Sequence, residues 1–551
     1  MRQEVRVILR RVRRISAAFQ AELRGHYSVE RVRTLLHYSQ TTSTLRAVLV
    51  SVLSPFPCLL VLTLIDCAPL APPDDGSRAN YLFWCRDFLT IALMTRVILE
   101  QFRISVPGLH IGSVQVVLMP VISSGGAVAF MIAMSSVIGF PLPFALVVGI
   151  PVWFVVLVVC FVAFFGRILR RDPVLLRELL RSIVVLICQV LLTFVYPAYL
   201  YGFISVEPEN QKFYVMLLPI IKIIAKNWIS YCLGNKFDLL PQIMIFNVDV
   251  FNALYVSSSM QASQSSMTVV QMVALDAVLA WVSISDIQHF MKTIYLLRRK
   301  IPAAHPLKNA SFIEIAIQII DEDPQARDRL AHRRYSLAQA VRRMSTSTVR
   351  VGGPLATDMN DGRASTRQIL PVDPPNPSEA VAASEARTPS LKLVNGQRSL
   401  DRIFSAKERQ RFLQHSARVL FTTEFVILVE YTEVIVPFIY TMYTAGMFYL
   451  PNHHYYPQLQ SFEDTGLTSN LGNVVTFGVI ELGSLLVIGY LIQRMLRISM
   501  LYLLVFVLDR SWRMVQSNLF LWICYTIQNS LEHNGADFSF AFSWLRTSTE
   551  Q

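Results

Sequence analysis

Residues 143–165 read PFALVVGIPVWFVVLVVCFVAFF, a run without a charge, and Arg167, Arg170, Arg171, Arg177 and Arg181 follow it closely. As a helix at about 1.5 Å per residue this stretch is about 34 Å long, enough to cross hydrocarbon about 30 Å thick. An apolar run of that length ending in arginines predicts a membrane-spanning helix whose final residues lie in the cytosol.

Nine more stretches of similar character lie on either side. Before it come Ala47 to Ile65, Leu82 to Leu99 and Val114 to Ile138. After it come Ile183 to Ile204, Phe213 to Leu233, Ile243 to Ser257, Thr268 to Ile287, Val419 to Tyr440 and Leu471 to Ile492. The seventh in chain order is short and holds Asn247, Asp249 and Asn252, which suggests a tilted, broken or re-entrant helix covered by protein or water. The chain is 53% apolar and 16% charged over 551 residues, with a mean hydropathy of +0.43. Soluble domains carry roughly a quarter charged residues, so an ordinary soluble protein is excluded. The expected fold is an all-α polytopic membrane bundle of about ten transmembrane helices, with a partly disordered cytosolic insertion.

Lys and Arg orient the chain, because loops rich in them stay in the cytosol. Residues 1–46 carry ten Arg against three Glu and form a basic cytosolic N-terminal segment. Residues 47–287 form an eight-helix bundle, and residues 288–418 form a basic insertion with 22 bases against 12 acids. Residues 419–492 supply two further spans, and residues 493–551 end the chain. Alternation places both basic segments and the loop after the fourth span inside. The predicted outer loops hold Arg78, Lys212 and no base in 258–267 or 444–470. The two basic segments have surpluses of seven and ten out of a net charge of +12, which leaves the other 374 residues at −5. The basic excess is therefore a cytosolic coat that favours anionic lipid rather than nucleic acid, and the membrane body is mildly acidic.

Within the insertion, Phe312 to Ile320 predicts a short amphipathic helix stopped by Asp321, Glu322, Asp323 and Pro324. Residues 345–398 are rich in Ser, Thr, Pro, Gly and Ala and predict a disordered linker. Ser336 and Ser345 each follow a pair of arginines by two residues and are candidate phosphosites, where a phosphate turns a basic patch toward neutrality. Ile498 to Ile527 is interrupted by Asp509, Arg510 and Arg513, so an interfacial or bundle-packed helical pair is expected rather than an eleventh span. No short cleavable signal pattern precedes the first apolar run. The Arg-rich stretch from Arg2 to Arg24 resembles a mitochondrial presequence, but with Glu4 and Glu22 in it reads better as a basic juxtamembrane segment.

Ionisable groups at membrane depth cost at least about 2 to 3 kcal/mol each unless paired or wet, so they are the sharpest functional signal. The candidate ion or proton sites are Asp249, Asp276, Glu430, Glu433 and Glu481, with Lys222 and Lys226 as counter-charges; Glu424 lies close to the start of the ninth span. Lys222 and Lys226 share a helix face, and Glu430 and Glu433 lie within one turn. The bland alternative is that these groups pair with one another and only fix helix packing. Pro120 with Ser123, Ser124, Gly125 and Gly126, and Gly472, Gly478, Gly483 and Gly489 around Glu481, predict close helix approach.

Cys67 and Cys85 flank the first outer loop and are the candidate disulfide pair, whereas Cys58, Cys160, Cys188 and Cys232 read as apolar residues at lipid depth. His453 and His454 sit with Tyr449, Tyr455 and Tyr456, as in an interfacial aromatic belt. No cysteine or histidine cluster has metal-ligand spacing. No nucleophile elbow, zinc-protease motif, phosphate loop or intramembrane protease motif is found, so neither an enzyme nor a cofactor is expected.

The run Leu35-Leu36-His37-Tyr38-Ser39-Gln40 to Arg46, then Ser54-Pro55-Phe56-Pro57, Asp66-Cys67-Ala68-Pro69-Leu70 and Ala79-Asn80-Tyr81-Leu82-Phe83-Trp84, resembles a large group of polytopic membrane proteins of oomycetes, with a weaker echo from Leu218 to Asp276. The resemblance implies a many-helix eukaryotic membrane protein and brings no activity or site residue with it. Two functions remain: a transporter or channel for a small solute or cation using the intramembrane carboxylates, or a receptor or scaffold acting through its basic insertion.

Overall fold

The computed structural model describes residues 25–207, 214, 217–234, 236–262, 266–323, 325, 400–457, 459 and 467–535. The expected disordered linker at 345–398, and Ser336 and Ser345 with it, lie outside the described residues. Among the described residues the protein is all helix and turn, with no strand.

At the N-terminal side, α1 (Val29–Thr41), α2 (Thr44–Leu53) and α3 (Phe56–Asp66) start at Ser28, Ser43 and the Pro55 step. Four long helices follow: α4 (Tyr81–Ser105), α5 (Ser113–Ile138), α6 (Ala145–Arg171) and α7 (Pro173–Ser205). Asp172 alone separates α6 from α7. Its carboxylate accepts the free Val174 and Leu175 N–H groups while Pro173, lacking an N–H, takes the first helical position. Next come α8 (Leu217–Leu233), α9 (Leu240–Met244, a π turn over Ile245–Asp249, then Val250–Ala262) and α10 (Ser266–Arg298). The seventh stretch is thus continuous helix with a bulge rather than a broken one.

The helix expected in the insertion is α11 (Phe312–Glu322), opened by a capping box between Ser311 and Glu314, and it buries Phe312, Ile315 and Ile319. A second capping box, Ser405 with Glu408, opens α12 (Ala406–Phe448). Lys300 and the capping bonds hold the Glu408 carboxyl down to about 2. The chain ends in α13 (Leu467–Leu496), α14 (Met500–Arg510) and α15 (Trp512–Asn529).

Among the described residues five helical stretches are long and apolar enough to cross a membrane: Thr44–Asp66, Ser113–Ile138, Ala145–Arg171, Pro173–Phe203 and Leu471–Leu496. The other five apolar stretches of the sequence also fold as helices, within α4, α8, α9, α10 and α12. They are shorter or carry charges directed inward. Large apolar side chains stand exposed in rows, such as Val114, Val117, Leu118 and Val121 on α5 and Val155, Val158, Val159 and Val162 on α6. A soluble monomer does not leave so much contiguous apolar surface in water, whereas a bilayer covers it at no cost.

Small residues bring helices together inside this belt. A Cβ at Gly126 would lie 3.1 Å from Val156, and one at Gly149 3.0 Å from Met131, so α5 and α6 pack at closest approach there. Ser123 and Ser124 return their hydroxyls to the Met119 and Pro120 carbonyls of their own helix.

Contacts sort the loops into two ends of the bundle. At the first end, Lys236 bonds the Ser105 carbonyl and pairs with Glu178 at 3.1 Å. There too Arg409 meets Asp323 at 3.0 Å, and Tyr38 and Arg46 both reach Asp509. At the second end, Asn452 bonds the Asp66 and Ala68 carbonyls, Ser135 meets Ser77, and the Phe144 N–H reaches the Gly535 carbonyl. Arg78 and Arg86 are the described bases of the second end, whereas Arg31, Arg33, Arg46, Lys236, Lys300 and Arg409 lie at the first.

The C-terminal pair is packed in the bundle rather than laid on an interface. Beyond Trp512 and Arg513, α15 is buried apart from the half-buried Gln516 and Thr526. It starts beside Glu100, which Arg513 meets at 3.4 Å, and it ends with Gln528 on Arg86 at the opposite end. Its 18 residues cover about 27 Å, so α15 runs most of the depth of the bundle.

Cysteines introduced at the exposed Asp74 and Glu532 should therefore react with a membrane-impermeant maleimide from one face of sealed vesicles, and those at Arg299 and Arg510 from the other. Labelling of Glu532→Cys from the same face as Arg510→Cys would contradict this arrangement.

Candidate functional site

The buried charges sit where α8, α9, α12 and α13 meet. On α8, Lys222 and Lys226 are one turn apart and face inward. The π turn in α9 brings their partner to them: the Val250 N–H bonds the Ile245 carbonyl five residues back. In this wider turn Asn247 serves one neighbourhood and Asp249 another. Asn247 accepts bonds from Gln189 at 2.5 Å and Trp522 at 3.2 Å, tying α9 to α7 and α15. Asp249 spans both lysines, with Lys222 Nζ at 3.2 Å from one oxygen and Lys226 Nζ at 3.0 Å from the other.

Lys222 is the bridge to the second half of the site. Its Nζ also donates to Glu433 Oε1 at 3.2 Å. Glu433 and Glu430 lie one turn apart on α12, facing Glu481 on α13, and a carboxylate oxygen from each of the three lies within 4.8 Å of the others. Ser484 donates to Glu430 Oε2 at 3.0 Å. The Glu481 Oε1 oxygen is buried and accepts no hydrogen bond among the described residues, and Glu481 is only 2% exposed.

Two backbone features shape this pocket of oxygens. Pro437 lies inside α12 and has no N–H, so the Glu433 carbonyl four residues earlier loses its helical donor. Gly478, one turn before Glu481, packs α13 against α12, where a Cβ would lie in contact 3.4 Å from Pro437 and 3.6 Å from Phe438. Gly472 and Gly483 meet nothing within 4 Å, and Gly489 packs under Met500, so only Gly478 and Gly489 act as the expected close-packing residues of α13.

Asp276 on α10 is the half-buried member, near enough to Lys222, Lys226 and Asp249 to interact with their charges. The site therefore gathers every intramembrane candidate except Glu424. That carboxylate belongs to the first end of the bundle, where it pairs with Arg31 at 2.7 Å and accepts the Tyr27 hydroxyl.

Charge balance decides what the site can do. Five carboxylates face two ammonium groups. Two unit charges 4.8 Å apart repel by about 3 kcal/mol at an effective dielectric of about 20. Lys222 offsets this at Glu433, while Glu430 and Glu481 have no ammonium partner among the described residues. Like carboxylates at this spacing share a proton or a cation. Buried carboxylate, hydroxyl and carbonyl oxygens form a donor set for a hard cation, not for a soft one.

Residues that the apolar pattern does not single out form a separate buried network at the second end. Arg86 donates to Asp66, to the Tyr456 hydroxyl at 2.6 Å and to Gln528 at 3.1 Å, and the Tyr443 hydroxyl donates to the other Asp66 oxygen. The adjacent charges Arg86 and Asp87 inside the second apolar stretch were the available signal. Here both Asp66 oxygens are engaged, and the network joins α3, α4, α12 and α15 as a clamp.

This pairing also corrects the disulfide expectation. Cys67 and Cys85 are free and exposed. Because Asp66 and Arg86 turn into the core, the residues beside them are rotated about 100° outward. Cys58, Cys160, Cys188 and Cys232 are buried, as expected of apolar residues. His453 and His454 meet edge to face, with ring centroids 4.5 Å apart, between Phe448 and Tyr455.

Comparison of the chain with family models, with curated proteins and with solved structures finds no match.

Removing a partner from a buried pair costs about 3 kcal/mol or more, whereas removing one of several repelling charges does not. Lys222→Met should therefore lower stability by about 3 kcal/mol in detergent unfolding, while Glu481→Gln leaves it unchanged or raises it. Equal losses in the two variants would mean that the carboxylates only hold helices together.

Proposed function

We propose that the protein is a multi-pass membrane carrier that exchanges a small hard cation for protons at Glu430, Glu433 and Glu481. What supports this is Glu481: its Oε1 oxygen is buried without a hydrogen-bond partner among the described residues, and an oxygen of its carboxylate lies within 4.8 Å of one from each of two other carboxylates. A proton and a cation compete for the same oxygens, because a carboxylic acid is a poor cation ligand and its anion a good one. The Glu433 carbonyl and the Ser484 hydroxyl add neutral oxygens. Lys222 supplies the internal counter-charge: with no cation bound it pairs with Glu433, and a cation entering the three carboxylates weakens that pairing by repulsion. The half-buried Asp276 lies on the way between the site and the surface of α10.

In this reading the ten apolar stretches cross the membrane, α15 crosses with them inside the bundle, and the arginine-rich end faces the cytosol. The positive coat keeps that end in place, and the mildly acidic body favours cations over anions.

The test is uptake into proteoliposomes with an acidic lumen, using Na⁺, K⁺, Mg²⁺, Ca²⁺ and Mn²⁺ in turn. One of them should accumulate while protons leave, and Glu430→Gln and Glu481→Gln should each slow uptake by about tenfold or more, the loss expected for one charged ligand. Fluxes no greater than in protein-free vesicles for every cation, or variants as fast as the unmodified protein, would refute the proposal.

A further inference from the structure

A groove of about 630 Å³ opens at the first end of the bundle, lined by Lys292, Tyr295, Leu296, Arg298, Arg299 and Lys308. Four of these are cationic and none is acidic. A helix C-terminus ordinarily attracts cations to its carbonyls, and this accounts for two of the four. Arg298 donates to the Lys308 carbonyl at 2.9 Å, and Lys308 Nζ donates to the Ile301 carbonyl at 2.7 Å. It does not account for Lys292 and Arg299, which are exposed and have no carboxylate partner among the described residues. The Tyr295 hydroxyl bonds the Met495 carbonyl at 2.5 Å, which ties the groove to the end of α13, where Arg494 and Arg497 are exposed as well.

On the membrane side of these cations the same face of α10 first carries the exposed Gln288 and His289, and becomes apolar at Trp281 and Val278. Val278, Trp281, Lys292, Leu296 and Arg299 recur at helical spacing along one stripe, with Trp281 67% and Leu296 64% exposed. Trp281 lies eleven residues before Lys292, about 16 Å along the helix and close to half of a hydrocarbon core about 30 Å thick. The stripe therefore offers a pocket of positive charge at headgroup level, a polar step at Gln288 and His289, and apolar surface at Trp281 and Val278 at acyl-chain depth. The volume is far more than a bare phosphate needs.

We infer that this groove binds the polyphosphorylated headgroup of an anionic lipid, with the acyl chains lying along Val278 and Trp281. Lys292 and Arg299 contact the phosphates directly, and Arg298 and Lys308 add to the field from behind.

The test uses the full-length protein in detergent and three probes: short-chain phosphatidylinositol bisphosphate, soluble inositol trisphosphate and short-chain phosphatidylcholine. The phosphorylated lipid should bind saturably, phosphatidylcholine should not, and the soluble headgroup should bind at least about tenfold more weakly because the apolar stripe contributes nothing to it. Lys292→Gln combined with Arg299→Gln should weaken the lipid by about thirtyfold without shifting the melting temperature of the lipid-free protein. Because both side chains are exposed, folding is not at stake. Headgroup and lipid binding equally tightly would make this a site for a soluble phosphate compound, and an affinity unmoved by the double substitution would place the lipid elsewhere; either result overturns the inference.

Discussion

A charge placed in hydrocarbon must be paired, hydrated or neutralised, and the centre of this protein is arranged around that constraint. Lys222 sits between Asp249 and Glu433, and so joins the α8–α9 half of the bundle to the α12–α13 half. On one side of it the account closes, because Asp249 has two ammonium partners. On the other side it stays open, because Glu430 and Glu481 have none among the described residues. The open side is where chemistry is possible. In the Asp66–Arg86 clamp, by contrast, the carboxylate meets a guanidinium and both of its oxygens are engaged.

Local departures from regular helix serve the same centre. Asn247 and Asp249, two residues apart at the π turn in α9, address different neighbours: Asn247 meets α7 and α15, and Asp249 meets the lysines of α8. Pro437 removes a backbone donor beside Glu433, and Gly478 faces Pro437 and Phe438 at contact distance. Around this centre the rows of exposed valine and leucine need no protein partner, since lipid covers them. The bundle is thus polar at its middle and apolar at its rim, the inverse of a soluble fold.

Much of this is legible in the sequence, and the rest is not, for definite reasons. Uncharged runs such as residues 143–165 place the helices, because helix length against hydrocarbon thickness is a local property. The pairs Lys222 with Lys226 and Glu430 with Glu433 are equally local, since spacing alone puts them on one face. The link from Lys222 to Glu433 spans 211 positions, and only packing makes it. Glu424 shows the limit from the other direction: it looks like its neighbours Glu430 and Glu433, yet Arg31, far away in the chain, claims it. Arg86 and Asp66 are hidden by the apolar residues around them, and once paired they turn Cys67 and Cys85 outward. The helix α15 is disguised by its own polar residues, because a helix buried among helices needs Asn247 and Arg86 as partners more than it needs a lipid-facing surface.

The central claim is that protons and a cation share the same buried oxygens, and stoichiometric proton release measures this most directly. Purified protein in a weakly buffered detergent solution is titrated with each candidate cation while the pH is followed. The account predicts that one cation displaces one or two protons per chain in a saturable step that disappears in Glu481→Gln and persists in the lipid-groove variant. Saturable binding of a cation with no proton release, or release undiminished in Glu481→Gln, would contradict it.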